Sequence, residues 1–126
     1  MAWNDDDMRE MLGKVMVSVK QNGEELIFTD GDGIKYIFYH SQSCCESVDI
    51  DDIEGELDWL VGLPMLMVEE VHNDASPKTS EYGYEPESYT WTFYKFATNR
   101  GTVVVKWYGT SNGYYSESVD FRIDKP

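Results

Sequence analysis

The stretch Val15-Met16-Val17-Ser18-Val19-Lys20-Gln21-Asn22-Gly23-Glu24-Glu25-Leu26-Ile27-Phe28-Thr29 decides how the fold is read. Val15, Val17 and Val19 alternate with Met16, Ser18 and Lys20, the period of two that belongs to a strand. Asn22-Gly23 is the strongest short hairpin signal, and residues 24–29 return as a second strand. Asp30-Gly31-Asp32-Gly33 makes another tight turn. Residues 34–40 form a third strand, with Ile34, Tyr36, Phe38 and His40 on one face. Residues 14–40 are therefore expected to fold as a β-meander.

Outward from this meander the pattern changes. On the N-terminal side, Asn4 or Asp5 can cap a short helix within 1–13. Met8, Met11 and Leu12 form its apolar stripe and Gly13 stops it. On the C-terminal side, Ile53, Leu57 and Leu60 fall at helical spacing, and Gly62 supplies a stop. This predicts an acidic helix over 49–62, weakened by about 1 kcal/mol at Gly55. Pro64 opens a strand over 65–72, and residues 73–88, with Pro77, Gly83 and Pro86, read as a long surface loop. Strands over 89–97, 102–108 and 114–123 complete residues 64–123. The expectation is an α+β single domain, 1–126. It consists mainly of an antiparallel β-sheet of about seven strands, with one or two short helices.

Net charge is −14, with 24 acidic residues against 10 Lys and Arg. Such a field repels phosphates and anionic membranes, so a basic protein surface is the expected partner, with no direct nucleic acid and no membrane. The N-terminus is acidic where a secretory signal would be basic, and no apolar run approaches the ~20 residues of a membrane span. A cytoplasmic location follows as the expectation, with thiols reduced. No phosphate loop, nucleophile elbow or metalloprotease motif is present, so a non-enzymatic role is expected.

Three constellations bear on function. His40, Cys44 and Cys45 cluster within six residues, and imidazole and thiolate are the ligands zinc prefers. His72, Asp49 or Glu46 could complete such a site. Adjacent cysteines rarely bond to each other, because the small ring strains the intervening peptide. The competing reading is a packed Cys and an ordinary hydrogen bond at His40. Second, Asp49, Asp51, Asp52, Glu54, Glu56 and Asp58 lie in a stretch without Lys or Arg from Lys35 to Lys78. This is either a solvated face or a row that engages Arg and Lys on a partner. Third, Trp107, Tyr108, Asn112, Tyr114 and Tyr115 mix flat rings with amides, a combination able to stack a base, though a packed hairpin is the favoured explanation because turns of this composition are common. An anionic ligand there needs local cations, for which Lys95, Arg100, Lys106 and Arg122 are the candidates.

Tyr39-His40, Cys44-Cys45-Glu46-Ser47-Val48, Asp52-Ile53, Val61-Gly62 and Pro64, together with Tyr89 to Lys95 and the segment from Trp107-Tyr108-Gly109 to Val119, form a recognisable set. It resembles a family of small phage proteins that carry the name of a domain of unknown function, over about 13–121. The resemblance implies a phage or prophage product and places His40, Cys44 and Cys45, but not His72, in the family pattern. It implies no particular activity. The leading expectation is thus an inhibitor of a host defence protein, anti-CRISPR-like, working through its acidic surface. The alternatives are a sponge for a nucleotide immune signal and a small zinc-binding structural domain.

Overall fold

The computed structural model describes residues 7–42, 44–73, 78, 87–113 and 116–126. The quoted hairpin is present as β1 (Met16–Asn22) and β2 (Glu25–Asp30), with Asn22 opposite Glu25. Its facing pattern differs from simple alternation. The register shifts between Met16 and Ser18, so Val17 is an extra residue that stays 59% exposed while Met16 and Val19 are buried. A bulge of this kind reverses which side chains face inward. β3 (Lys35–Tyr39) continues the meander, with Tyr36 and Phe38 turned into the core.

The acidic helix expected over 49–62 is instead strand β4 (Ser47–Glu54), followed by a 3-10 turn at Leu57–Leu60. The physical reason lies in the ladder. β4 pairs with β7 with a register shift between Ile50 and Asp52, so Asp51 is inserted. That insertion puts the inward residues Ile50 and Ile53 three apart, which imitates a helical spacing in a strand. The N-terminal helix is likewise reduced to a 3-10 turn, Met8–Met11, capped by the Asp7 carboxylate at 2.9 Å from the Arg9 N–H. The proposed caps Asn4 and Asp5 lie outside the described residues. Among the described residues there is no α-helix, so the α+β expectation is corrected to two antiparallel sheets joined by turns.

The remaining strands are β5 (Met67–Asn73), β6 (Ser88–Thr98), β7 (Gly101–Ser111) and β8 (Asp120–Asp124). One sheet runs β1-β2-β3-β8 and the other β4-β7-β6-β5. Their inner faces meet in one core. Phe28 packs on Phe96 and Phe38 on Tyr94, both with ring centroids 4.8 Å apart. Trp107, Val103 and Val105 of β7 fill the space beside them. Buried aromatics in tilted contact add ~1 kcal/mol each beyond their area burial. No helix among the described residues is long and apolar enough to cross a membrane.

Two glycines are dictated by close approach. A Cβ on Gly109 would sit 2.8 Å from the Glu117 carbonyl oxygen, because the segment before β8 crosses β7 there. At Gly101, where φ is +152°, a Cβ would sit 2.8 Å from the Trp59 ring. The Trp59 carbonyl accepts a hydrogen bond from the Thr98 hydroxyl, which fixes this turn against the β6–β7 end.

Candidate functional site

β4 is an edge strand, and its two faces divide the acidic run. Val48, Ile50 and Ile53 turn inward, opposite Gly109, Trp107 and Val105 of β7. Asp49, Asp51, Asp52 and Glu54 are exposed, and Glu56 and Asp58 continue the row into the following turn. Same-face positions on a strand are about 6.8 Å apart, and the inserted Asp51 crowds an extra carboxylate against Asp52 in this row. Among the described residues, two lysines compensate it. Lys106 meets Glu54 at 2.7 Å and is raised in pKa, chiefly by that hydrogen bond. Lys78 pairs with Asp51 and lies 5.6 Å above the Tyr108 ring. Arg100 reaches only the Asp58 carbonyl, at 3.3 Å. The Glu24 carboxylate accepts the Ile50 N–H at 2.8 Å, tying this edge back to the β1–β2 hairpin.

The loop between β3 and β4 is built differently. His40 and Glu46 are both nearly inaccessible as side chains, with Nε2 2.7 Å from Glu46 Oε2. The other ring nitrogen, Nδ1, lies 2.7 Å from the Ser118 carbonyl. A carbonyl only accepts, so in a hydrogen bond to Ser118 the Nδ1–H of His40 is the donor. Glu46 Oε1 also accepts the Cys44 N–H at 2.9 Å, and Gln42 donates to the Cys44 and Glu46 carbonyls. These bonds wrap the chain into a tight bend that turns both sulfurs to one side. Cys44 and Cys45 are joined in a disulfide, which overturns the expectation that these neighbours do not bond.

A disulfide offers no thiolate, and both nitrogens of His40 are engaged. As folded, His40, Cys44 and Cys45 do not converge on a common point, and no group of three or more His, Cys, Asp or Glu among the described residues could hold a metal ion. His72 stands on β5, at the far edge of the same sheet, beside Glu70 at 3.1 Å. A zinc reading requires a reduced and rearranged loop.

The aromatic hairpin is also split. Trp107 is 1% exposed and belongs to the core, so it offers no stacking surface. Tyr108 points to the opposite face, 4.4 Å from Trp91 and 6.4 Å from Tyr89. Asn112 is exposed in the turn after β7, while Tyr114 and Tyr115 lie outside the described residues. The four candidate cations do not form one patch. Lys95 and Lys106 lie on the outer face of the β4-β7-β6-β5 sheet and Arg100 at its end. Arg122 lies in the other sheet, over the Tyr39 ring at 4.7 Å.

One buried carboxylate had no sequence signal. Glu117 accepts hydrogen bonds from Thr90, at 2.7 Å, and from Ser111. Burial pushes its pKa up, but hydrogen bonds from Ser111, Ser88 and Thr90 outweigh that and hold it below the ordinary carboxylate value. Its hydroxyl partners come from β6 and β7, a pairing invisible in linear spacing. No curated protein and no solved structure matches the chain. The family described as a domain of unknown function, DUF7448, matches residues 9–121. Nearly the whole two-sheet body falls within that match, and the chain belongs to this family.

Proposed function

We propose that this chain is a non-catalytic binding protein that presents its acidic edge strand to a basic surface on another protein. One observation carries the reading. Four exposed carboxylates, Asp49, Asp51, Asp52 and Glu54, line a sheet edge and Glu56 and Asp58 continue them into the next turn, with Lys78 and Lys106 the only ion-pair partners among the described residues. An edge strand also offers backbone donors and acceptors to a partner, and charge complementarity speeds encounter and fixes register. In its finer form the proposal is a phage product that blocks a nucleic-acid-processing host protein, such as a CRISPR nuclease. That form rests on the resemblance to small phage proteins and on the fit between a row of carboxylates and a groove of Arg and Lys.

The test is binding to a panel of purified host nucleases across a salt series. Affinity is expected to fall steeply from about 50 to 500 mM salt, because screening shortens to ~4 Å over that range. Binding that ignores salt, or no binding to any of them, overturns the electrostatic reading. A nucleotide sponge centred on residues 107–115 has weaker support, because Trp107 is packed in the core and Lys78 lies above Tyr108.

A further inference from the structure

The outer face of the other sheet holds a cavity of about 310 Å3, bounded by Ser18 and Lys20 of β1, Ile27 and Thr29 of β2, and Lys35 of β3. Gln21 and Asn22 close its end, and no acidic residue lines it. This composition is unexpected in a chain of net charge −14.

The register explains how it is assembled. Ser18 is opposite Thr29, Thr29 is opposite Lys35, and Lys35 is opposite Asp124 of β8, whose carboxylate is engaged by Arg122, so the row crosses all four strands and its acid lies beyond the cavity lining. Lys20 is opposite Ile27 in the next row of the same face. Strands lie about 4.8 Å apart and same-face residues about 6.8 Å apart along each, which puts the two lysine Cα atoms on the order of 12 Å from one another. Lysine stems are long and flexible enough to reach across that gap, and both residues line the cavity with Ile27. Lys20 and Lys35, like Lys14, Lys95, Arg100 and Lys125, have no carboxylate ion pair among the described residues, and of these six only Lys20 and Lys35 line the cavity.

The geometry points to a binding site for a small phosphorylated molecule on this face. The two ammonium groups match the double charge of a phosphate, and lysine binds phosphate as a point charge. The Ser18 and Thr29 hydroxyls and the Asn22 amide supply donors for its oxygens, while Ile27 seats an apolar portion. Gln21 is already engaged, its amide donating to the Gly23 carbonyl at 3.2 Å. The volume sits at the lower end of ligand pockets, roughly 300–1,000 Å3, which suits a single phosphate ester rather than a polynucleotide. The site lies in the sheet that does not contain β4, so it stands or falls independently of the acidic-edge proposal.

Inorganic phosphate titrated into the full chain, followed by amide NMR, tests it. Saturable shifts are expected at Ser18, Lys20, Thr29 and Lys35. Lys20→Gln and Lys35→Gln should each weaken binding about tenfold and together about a hundredfold, while Lys95→Gln leaves it unchanged. Succinate and citrate, of comparable or higher charge, should bind at least about tenfold more weakly. Shifts that do not saturate, or that survive in the double variant, overturn the site. Equal affinity for either carboxylate overturns its assignment to phosphate.

Discussion

Glu46 and Asp49 are three residues apart in the chain and carry the same functional group, yet they do opposite work. Glu46 is buried, hydrogen-bonded to His40 and to the Cys44 N–H, and through His40 it reaches the Ser118 carbonyl that leads into β8. Glu117 repeats the arrangement with hydroxyls of β6 and β7. Asp49 and the acids after it are exposed along the sheet edge and the turn that follows, and among the described residues two of the six, Asp51 and Glu54, are paired with lysines. Burial turns a carboxylate into a fastener between segments distant in sequence. Exposure leaves it available to a partner, at little value to the fold. The difference teaches that the acidic run has a structural beginning and a solvent-exposed body.

The most disruptive way to probe the structural side is at the crossing that seats Glu117. Gly109→Val should destabilise the fold by more than about 3 kcal/mol, measured by denaturant unfolding, because its side chain collides with backbone rather than with a movable group. Glu46→Ala or His40→Ala should cost about 3 kcal/mol, since each strands a buried polar partner. A loss under about 1 kcal/mol would mean water replaces the missing partner and would weaken the contrast.

Acid should separate the two classes next. Glu117 and Asp30 both have pKa values below the ordinary carboxylate range. In each, burial pushes upward and is outweighed by hydrogen bonds, at Asp30 from Tyr36 and the Ile34 and Asp32 backbone. A carboxylate with a depressed folded-state pKa contributes stability that is complete above its unfolded value and lost as pH falls through the folded one. Stability should therefore hold down to about pH 5 and then decline, and Glu117→Gln should show a shallower decline than the parent chain. A stability that rises on acidification below pH 4 would contradict this. The smallest expected effect is at the exposed row, where Asp49→Asn or Asp52→Asn should move stability by less than about 0.5 kcal/mol.

The meander was legible because its information is local. Alternation, Asn22-Gly23 and the Asp-Gly turn all act within a few residues. β4 was misread because the inserted Asp51 changes the apolar spacing from two to three, and Gly55 with Leu57–Leu60 extends the imitation of a helix. The pairing of β3 with β8 joins residues more than 80 positions apart, and no local period reports it. At the site, the acids were legible as a run. What separates Glu46 from Asp49 was not, because it depends on a carbonyl contributed by Ser118. The pairing of Cys44 with Cys45 was misjudged for a related reason: the bend that brings the sulfurs together is held by the Gln42 and Glu46 side chains. Lys20 and Lys35 share a groove only once the hairpin register is known.

The most direct measurement uses a chain carrying Asp49→Asn, Asp51→Asn, Asp52→Asn and Glu54→Gln together, with unfolding and salt-dependent binding to host nucleases read on the same sample. An unfolding free energy within about 1 kcal/mol of the parent, with binding reduced more than about tenfold, is the predicted result. A fold lost with the four charges, or binding that persists unchanged without them, would contradict the division between fastening and interacting carboxylates.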